Sequence, residues 1–474
     1  MSQWLPIAEL ATKVQAGTLT ATDLVEQALK TIEAKKEYNA IIATTAERAR
    51  QRAASIDAAI KNGEQVGRLA GVPFIAKDNY LVFGAETTAA SNMLKGFNAP
   101  YQSTVIEKLE AEGAVCVAKA NLDAFAHGGS TENSDFFTTK HPLDKSRVPG
   151  GSSGGSAASV VLDLAPFALG SDTGGSVRQP ASFVGCVGFK PTYGSVSRYG
   201  IVAMASSTDV AAPMARTVAD AALVYDVMAG QDPFDSTTIE RDEAGYADSA
   251  SDLKGKKVGV IKEWMGDGVD DGVKQQIRAM VEKIKAAGAE VSEVSLPSLP
   301  LALAVYYVVV PAEVSSNLSR YDGQRYQYSY PDAKDLDDSY MGSRGRGFGA
   351  EAKRRIMIGT YVLSSGYYDA YYNRAQTVRT KLINEFNDAF GQVDFLVGPV
   401  APTTAFKIGE NTANPLQMYL TDVMTVGPSL VGVPAISVPA GTADGLPVGI
   451  QIVAPQRADR ALLGMAKAVE GLGA

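Results

Sequence analysis

The strongest constraint on the fold of this chain is the alternation of apolar and helical segments between residues 71 and 121. The segments GVPFIAKDN (71–79) and AVCVAKAN (114–121) are predicted to be buried strands, each ending in polar residues. Residues 103–112 are predicted to form a helix that stops at Gly113. Because a strand–helix–strand order is typical of helices covering a sheet, it favours a parallel or mixed β-sheet.

The same kinds of pattern continue along the chain. Residues 24–32 place Leu24, Val25, Ala28, Leu29 and Ile32 at helical spacing, and Thr20 or Thr22 would cap this helix. Further strands are predicted at 256–263, 289–297, 394–400, 434–441 and 447–455, and helices at 271–287 and across 350–390.

No linker or repeat divides the 474 residues. We therefore predict an α/β fold with one large domain, residues 1–474, in which helices cover both sides of a central mixed sheet. Residues 230–390 are expected to form a helical cap.

The charge balance argues against a nucleic-acid-binding surface on this chain. Lys and Arg total 44 and Asp and Glu total 52, which gives a net charge of −8, and no long basic run is present. Since phosphate contacts dominate the affinity for nucleic acids, any RNA would be held by a partner.

Several features point to the cytoplasm. Cys116 and Cys186 lie in apolar surroundings, where free buried thiols are expected rather than a disulfide. The N-terminus has no secretory pattern. No unbroken run of about 18 apolar residues is present, so we expect no membrane span.

Histidine is nearly absent, and this limits the possible chemistry. The sequence contains only His127 and His141, and neither has a second ligand at metal-binding spacing. A Ser-His-Asp site needs a histidine in the right place. We expect both residues to be structural, and we predict no metal site.

The segment DTGGS (172–176) follows an apolar run and places Ser176 after two glycines. Glycines permit a tight turn and leave backbone N–H groups uncovered. The N–H groups of Thr173, Gly174, Gly175 and Ser176 would then form an oxyanion hole. The alternatives are an ordinary tight turn or a phosphate-binding loop.

Two further segments are ambiguous when taken alone. GGSSGGS (150–156) precedes a helical segment, where an anion-binding nest is a simple interpretation. Lys77 ends a predicted strand, and most lysines at such positions are exposed or paired with a carboxylate. If Lys77 is buried, its pKa falls and it becomes a base near neutral pH.

In combination these segments indicate a catalytic site. A serine nucleophile needs a base, and lysine acting through a second hydroxyl can replace histidine. Lys77, Ser152 and Ser176 occur in that order, within the flanks IAKDN, VPGGSSGG and GSDTGGSVRQPA. With GFKPTYGSVSRYG further on, these motifs resemble the amidase signature family. The similarity covers most of the chain and is densest over residues 65–220.

The resemblance implies the amidase signature fold and a Ser-cisSer-Lys triad. In this triad, Ser176 is the nucleophile that forms the acyl-enzyme, and Ser152 links it to the base Lys77. A cis peptide bond between Gly151 and Ser152 is implied as well.

Other segments resemble the amidase subunits of tRNA-dependent amidotransferases, one branch of this family. They are AFAHGGSTENS (124–134) and the segments 190–209, 306–326, 351–372 and 419–425. This resemblance implies that Arg355 and Asp422 bind the α-carboxylate and α-amino groups of glutamine. It also implies that Tyr306, Gly129 and Ser130 line the pocket. It does not separate Arg355 from Arg354 or Tyr306 from Tyr307, and without it the Arg–Asp pair is equally a surface salt bridge.

The branch differs from this chain at Ala124 and His127, where an acidic residue and a methionine are usual, and in MTVGPSL after Asp422. Its activity implies glutamine hydrolysis, with ammonia passed to a tRNA-binding, kinase-like subunit that uses ATP and Mg²⁺. The implied complex is a heterotrimer with a small third subunit, in which this chain binds no cofactor and meets tRNA only through its partner. The alternatives are a stand-alone hydrolase of small or peptide amides and an inactive scaffold subunit.

Overall fold

A computed structural model describes residues 3–242 and 245–473. In this part of the chain, eleven strands form one mixed sheet in the order β1-β3-β2-β4-β6-β5-β10-β11-β9-β7-β8. The strands are β1 (Ile41–Thr44), β2 (Pro73–Lys77), β3 (Val115–Ala120), β4 (Phe167–Asp172), β5 (Val187–Lys190), β6 (Val210–Ala215), β7 (Lys257–Ile261), β8 (Glu290–Val294), β9 (Phe395–Pro399), β10 (Ala435–Ala443) and β11 (Leu446–Val453).

Helices cover both faces of this sheet, which confirms the predicted α/β architecture with one large domain. They are α1 (Ile7–Gln15), α2 (Ala21–Ala34), α3 (Ala46–Lys61), α4 (Thr104–Ala111), α5 (Gly154–Val161), α6 (Arg178–Val184), α7 (Val218–Met228), α8 (Asp271–Ala286), α9 (Ala302–Asn317), α10 (Leu336–Gly347), α11 (Ala350–Val362), α12 (Arg374–Phe390), α13 (Pro415–Leu420), α14 (Val426–Val431) and α15 (Asp459–Gly473).

Local sequence signals explain where these elements begin and end. The Thr20 hydroxyl accepts a hydrogen bond from the N–H of Asp23 at 3.0 Å, so Thr20 is the cap of α2. Ser103 caps α4 in the same way, and Gly113 follows that helix with a φ of 88°. The predicted strands at 71–79 and 114–121 are β2 and β3, and the five later strand predictions correspond to β7–β11.

The region 230–390 is not helical throughout. Strands β7 and β8 lie inside it and form one edge of the main sheet, where β7 pairs in parallel with β9. The helices α8 to α12 come from the same region. This part of the chain is therefore built into the domain as well as covering it.

Parallel pairing in the centre of the sheet determines the position of the candidate site. Strand β2 pairs in parallel with both β3 and β4, with Ala76 opposite Leu169. All residues of β2, β3 and β4 are buried. Because β2 and β4 run in the same direction, Lys77 and Asp172 at their carboxyl ends emerge at the same edge.

Helix α9 is part of an apolar segment, Leu299–Arg320, whose length and composition would suffice to cross a membrane. Its sequence is interrupted by Glu313 and several serines, and half of its most apolar window is buried inside the protein. The helix packs against α11, α12 and α14. These contacts account for its apolar residues as part of the protein core.

Both cysteines are buried free thiols, as predicted. Burial raises the pKa of Cys116 and of Cys186 to about 12.

The stacked rings of Phe74 on β2 and Phe167 on β4 test the packing at the centre of the sheet. Both side chains are fully buried, and their centroids are 5.2 Å apart. We expect Phe74→Ala to lower the free energy of unfolding by about 3–5 kcal/mol because it leaves a cavity, as measured by urea denaturation. The control Phe234→Ala removes a ring that is 69% exposed and should cost about 1 kcal/mol or less. Equal losses in the two variants would contradict this packing.

Candidate active site

Lys77 is the centre of a buried group of hydroxyls at the end of β2. Its Nζ lies 2.8 Å from Oγ of Ser152, 2.9 Å from Oγ of Ser153 and 2.9 Å from Oγ of Ser171. The side chain is fully buried, and no carboxylate of the described residues forms an ion pair with it. Hydroxyl groups both donate and accept hydrogen bonds, so this surrounding suits a neutral amine.

Burial lowers the pKa of Lys77 to about 7. Desolvation is the largest cause, because removing an ammonium group from water disfavours its charged form. The nearby carboxylates of Asp123, Asp172 and Asp209 oppose this effect and raise the pKa. Lys77 can therefore exchange a proton close to neutral pH, which the resemblance to a lysine-based triad requires.

The loop before α5 brings Ser152 to Lys77. The peptide bond between Gly151 and Ser152 is cis. The N–H of Gly151 donates to Oε1 of Gln179 at 3.0 Å, and the carbonyl of Ser152 accepts from the N–H of Asp123 at 3.2 Å. The two residues joined by this peptide bond are thus each held by a hydrogen bond to a neighbouring segment.

Ser176 lies in the turn between β4 and α6 and is 8% exposed. The N–H of Ser153 donates to the carbonyl of Ser176 at 3.1 Å, which joins this turn to the loop that carries Ser152. Lys77 thus bonds to Ser152 directly, and Ser176 lies in a turn bonded to the same loop through its backbone. Within the described residues, the hydroxyls of Ser152 and Ser176 do not hydrogen-bond to each other.

A buried ion pair joins the two ends of the turn that carries Ser176. Arg178 donates through Nε to Oδ2 of Asp172 at 3.0 Å and through one terminal nitrogen to Oδ1 at 2.8 Å. Asp172 also accepts a hydrogen bond from the N–H of Val177 at 3.2 Å. Because Asp172 ends β4 and Arg178 begins α6, this pair spans the turn and fixes both of its ends.

The backbone of this turn has the properties of an oxyanion hole. Within the described residues, the N–H groups of Gly174, Gly175 and Ser176 donate to no protein acceptor. A Cβ on Gly174 would lie 2.5 Å from Cζ of Tyr306, and one on Gly175 would overlap the hydroxyl of Thr425. Gly175 also has a φ of 140°. The glycines are therefore required by close contacts, and the N–H groups stay available to an anion.

The predicted Arg355 and Asp422 lie in one pocket, whose lining includes Gly129 and Ser130 next to Gly151 but none of residues 172–176. Arg355 is buried and donates through Nε to Oε1 of Glu351 at 2.9 Å. The two predicted residues are therefore not an ion pair with each other. They line one cavity, with Gly128, Gly129, Ser130, Glu132, Asn133, Tyr307, Glu351, Arg354, Asn411, Thr412, Pro415, Met418 and Tyr419.

The alternatives that the sequence left open have different positions in the structure. Tyr307 lines the pocket and stacks on Tyr419 with ring centroids 3.9 Å apart, whereas Tyr306 contacts Gly174 of the turn. Arg355 is 3% exposed, and Arg354 is 42% exposed and pairs with the other oxygen of Glu351. Tyr307 and both arginines thus line the pocket, and Tyr306 packs against the turn.

Several residues that organise the site were not identified from the sequence. Gln179 accepts from the N–H of Gly151 and donates to the carbonyl of Gly129 at 2.9 Å, joining the serine loop to the pocket. Asp123 accepts three backbone hydrogen bonds in the pocket loop. Glu351 holds Arg355 and accepts from the hydroxyl of Tyr419 at 2.9 Å. Of these residues, only Glu351 could have been identified from the sequence, because it precedes Arg355 by four residues and so faces it on a helix.

The two histidines are buried in loops. His141 contacts the carbonyl of Phe183 at 2.8 Å through Nε2 and accepts from the N–H of Leu143 at 3.1 Å through Nδ1. The ring nitrogens of His127 have no hydrogen-bond partner among the described residues, and burial lowers its pKa well below the usual value. Within residues 3–242 and 245–473, no three His, Cys, Asp or Glu side chains are grouped as possible metal ligands.

Comparison with known proteins identifies the family. The model of the family described as Amidase matches residues 23–463. The chain belongs to the amidase family. Over 98% of this chain and 95% of the relative, it is 49% identical to the A subunit of the glutamyl-tRNA(Gln) amidotransferase of Thermoanaerobacter pseudethanolicus.

Two solved structures of this family extend the comparison. The A subunit of the glutamyl-tRNA(Gln) amidotransferase of Thermotoga maritima has a TM-score of 0.80 and 40% identity, with 95% of this chain and 91% of that one covered. The peptide amidase of Stenotrophomonas maltophilia has a TM-score of 0.84 and 29% identity, covering 99% and 97%. The fold is thus shared by family members whose names describe different activities.

The close contact between Gly174 and Tyr306 gives a test of the turn. Gly174→Ala places a methyl group 2.5 Å from the ring, so either the turn or Tyr306 must move. We expect amide hydrolysis to fall by at least about tenfold, as measured by ammonia release, because the oxyanion donors are displaced. The control is Gly345→Ala in α10, where an added Cβ meets no atom within 4 Å, and its rate should be unchanged. A normal rate in Gly174→Ala would show that the turn tolerates this displacement.

Proposed function

We propose that this chain is the glutaminase subunit of a tRNA-dependent amidotransferase. The observation that carries this proposal is the buried contact of 2.8 Å between Lys77 and Ser152, beside the turn of Ser176 and a pocket with fixed charges. The 49% identity with the A subunit of a glutamyl-tRNA(Gln) amidotransferase over almost the whole chain supports the choice of substrate and pathway.

In the proposed reaction, Oγ of Ser176 attacks the side-chain amide carbon of glutamine. The proton of Ser176 passes to Ser152 as Ser152 gives its own proton to neutral Lys77. The N–H groups of the 173–176 turn stabilise the oxyanion. Return of the proton releases ammonia and leaves a γ-glutamyl ester on Ser176, and water then hydrolyses this ester to glutamate.

The pocket has the charges that a free amino acid requires. Arg355 is fixed by Glu351 and lies over the rings of Tyr307 and Tyr419, at 5.3 and 5.7 Å from their centroids. Its remaining N–H groups would bind the α-carboxylate as a fork. Asp422 would bind the α-ammonium group. Gly129 lies close by, where a Cβ would be 2.9 Å from Oγ1 of Thr421 and 3.9 Å from Oδ1 of Asp422.

In this proposal the ammonia is used by a tRNA-binding, kinase-like subunit, which activates misacylated Glu-tRNA(Gln) or Asp-tRNA(Asn) with ATP and Mg²⁺. A small third subunit completes the heterotrimer. The net charge of −8 supports this division because the chain is poorly suited to bind tRNA itself. The free buried thiols are compatible with a reducing compartment such as the cytoplasm.

The main alternative is a stand-alone amidase that acts on small or peptide amides. The fold does not separate the two functions, since the peptide amidase has a TM-score of 0.84. Its identity of 29% is well below the 49% of the amidotransferase subunit, which favours the transamidase. An inactive scaffold subunit is disfavoured because Lys77, Ser152 and Ser176 are all present and brought together.

Reconstitution with the candidate partner subunits tests the proposal. Glutamine turnover should rise when the partners, Glu-tRNA(Gln) and ATP with Mg²⁺ are added, and Gln-tRNA(Gln) should form. Rapid hydrolysis of unrelated amides by the isolated chain, without any response to these additions, would favour the stand-alone amidase.

Removing the nucleophile separates the two half-reactions. In the reconstituted complex, Ser176→Ala should lower glutamine-dependent amidation by at least about 10³-fold, because no acyl-enzyme forms. Amidation with added ammonium should remain normal. The control Ser437→Ala removes another buried hydroxyl, one without a hydrogen-bond partner among the described residues, and should leave both rates unchanged. Full glutaminase activity in Ser176→Ala would contradict the mechanism.

The pH dependence of kcat tests the role of Lys77. Neutral Lys77 is the base, and burial lowers its pKa to about 7, so kcat should rise with pH through that value. At saturating glutamine, the ammonium group of the bound substrate lowers the pKa of Asp422, so that kcat reports the titration of Lys77 alone. In the free enzyme burial raises the pKa of Asp422 to about 8, so kcat/KM should report both groups. A kcat that is flat between about pH 6 and pH 8 would remove Lys77 from the base role.

A further inference from the structure

The loop that carries Gly129 and Ser130 has an unusual backbone. Phe125, Ala126 and Thr131 are not glycines, yet they have positive φ values of 53°, 65° and 65°. Such conformations are uncommon for residues with a side chain and persist only where their surroundings hold them. The contacts that hold this loop therefore bear on the geometry of the pocket.

Three backbone hydrogen bonds of this loop end on the carboxylate of Asp123. Its Oδ2 accepts hydrogen bonds from the N–H of Ser130 at 3.3 Å and of Thr131 at 2.8 Å. Its Oδ1 accepts from the N–H of Asn133 at 3.0 Å. The side chain is fully buried, so water does not compete for these donors.

The same residue also contacts the catalytic serine loop. The N–H of Asp123 donates to the carbonyl of Ser152 at 3.2 Å. A Cβ on Gly151 would overlap Oδ2 of Asp123, so the carboxylate lies directly against the Gly151–Ser152 segment. Asp123 thus touches the serine loop with its backbone and its side chain, while its oxygens hold the pocket loop.

We propose that Asp123 is a positioning residue that keeps the glutamine pocket aligned with Ser152. Its role is to hold the Ser130–Asn133 backbone and the Gly151–Ser152 backbone at a fixed separation, and it does not touch the reacting atoms. This proposal rests on the glutaminase function proposed above. Gln179 joins Gly129 to Gly151, and the Thr131 hydroxyl donates to the carbonyl of Gly150 at 2.8 Å. Several connections of this kind suit two loops that must keep a fixed relative position.

The charge of Asp123 makes its role measurable in the pH dependence of kcat, which a purely structural residue would not change. Lys77 is influenced by three carboxylates, those of Asp123, Asp172 and Asp209, and Asp123 has the largest effect of the three. Asp123 in turn is influenced by Lys77 and by Glu132, and burial raises its pKa to about 6. Above that pH its negative charge favours the protonated form of Lys77.

The first variant, Asp123→Asn, keeps the shape of the side chain and removes the charge. One of the two positions that accept N–H bonds becomes an NH₂ group, which faces backbone donors and displaces the pocket loop. We expect KM for glutamine to rise by about tenfold. The rising limb of kcat should move to lower pH by about 0.5–1 unit, because Lys77 loses a favourable negative neighbour.

The second variant, Asp123→Glu, keeps the charge and moves the acceptor by one methylene group. KM should rise here as well, while the limb of the kcat profile stays close to its original pH. Asp220→Asn is the matched control. Asp220 is also a buried carboxylate, and it accepts a hydrogen bond from the N–H of Ile7 at 2.8 Å, but it belongs to α7 and joins that helix to α1. It should change thermal stability without changing KM or the pH profile.

All variants are assayed as full chains with the partner subunits, and folding is checked by circular dichroism. An unchanged KM in both Asp123 variants, or a limb that shifts equally in both, would overturn the proposal. If neither Asp123 variant folds while Asp220→Asn does, Asp123 serves the fold rather than the site, and the proposal is also overturned. Glutamine turnover by the wild-type complex tests the proposed function separately. If the wild type hydrolyses another amide instead, the role of Asp123 can still be tested by comparing the same variants on that amide.

Discussion

Asp172 and Arg178 form an ion pair with no solvent exposure at the point where β4 turns into α6. Arg178 also donates to the carbonyl of Thr425 at 3.0 Å, to Oε1 of Gln451 at 2.7 Å and to the hydroxyl of Ser429 at 2.7 Å. A buried pair is costly unless its remaining hydrogen-bonding groups are satisfied, and here they are. The pair holds the Ser176 turn against α14 and β11, so elements from the far end of the chain fix the active-site backbone.

The surroundings of Lys77 differ from those of Arg178. Lys77 is as deeply buried as Arg178, but hydroxyl groups rather than a carboxylate surround its amine. Burial lowers the pKa of Lys77 to about 7, and the neutral amine can relay a proton only if these hydroxyls stay in place. The sheet supplies that rigidity. Ser171 belongs to β4, and Ser152 and Ser153 precede the buried helix α5. The Asp172–Arg178 pair thus stabilises the turn. Lys77, which has no carboxylate ion-pair partner among the described residues, stays able to accept a proton.

The sequence indicated those parts of the fold and of the site that depend on local chemistry. The strand that ends at Lys77, the glycines of DTGGS and the cap at Thr20 all leave local signals. It did not indicate Asp123 or Gln179, because each joins loops that meet only after the sheet has formed. It did not separate Tyr306 from Tyr307 either. Adjacent helical residues point about 100° apart, so only the packing of α9 shows which one faces the pocket.

The charges of the pocket also bear on selectivity. Glu351 pairs with both Arg354 and Arg355, so this end of the pocket keeps a positive charge, and burial keeps Asp422 largely protonated below its pKa of about 8. A zwitterionic amino acid places a carboxylate against Arg355 and an ammonium group against Asp422, so that Asp422 gives up its proton as the ligand binds. A peptide amide without these charged groups would bury polar atoms of both residues without partners, which is costly. In the proposed function, this pocket would therefore favour free glutamine over the substrates of peptide amidases that share the fold.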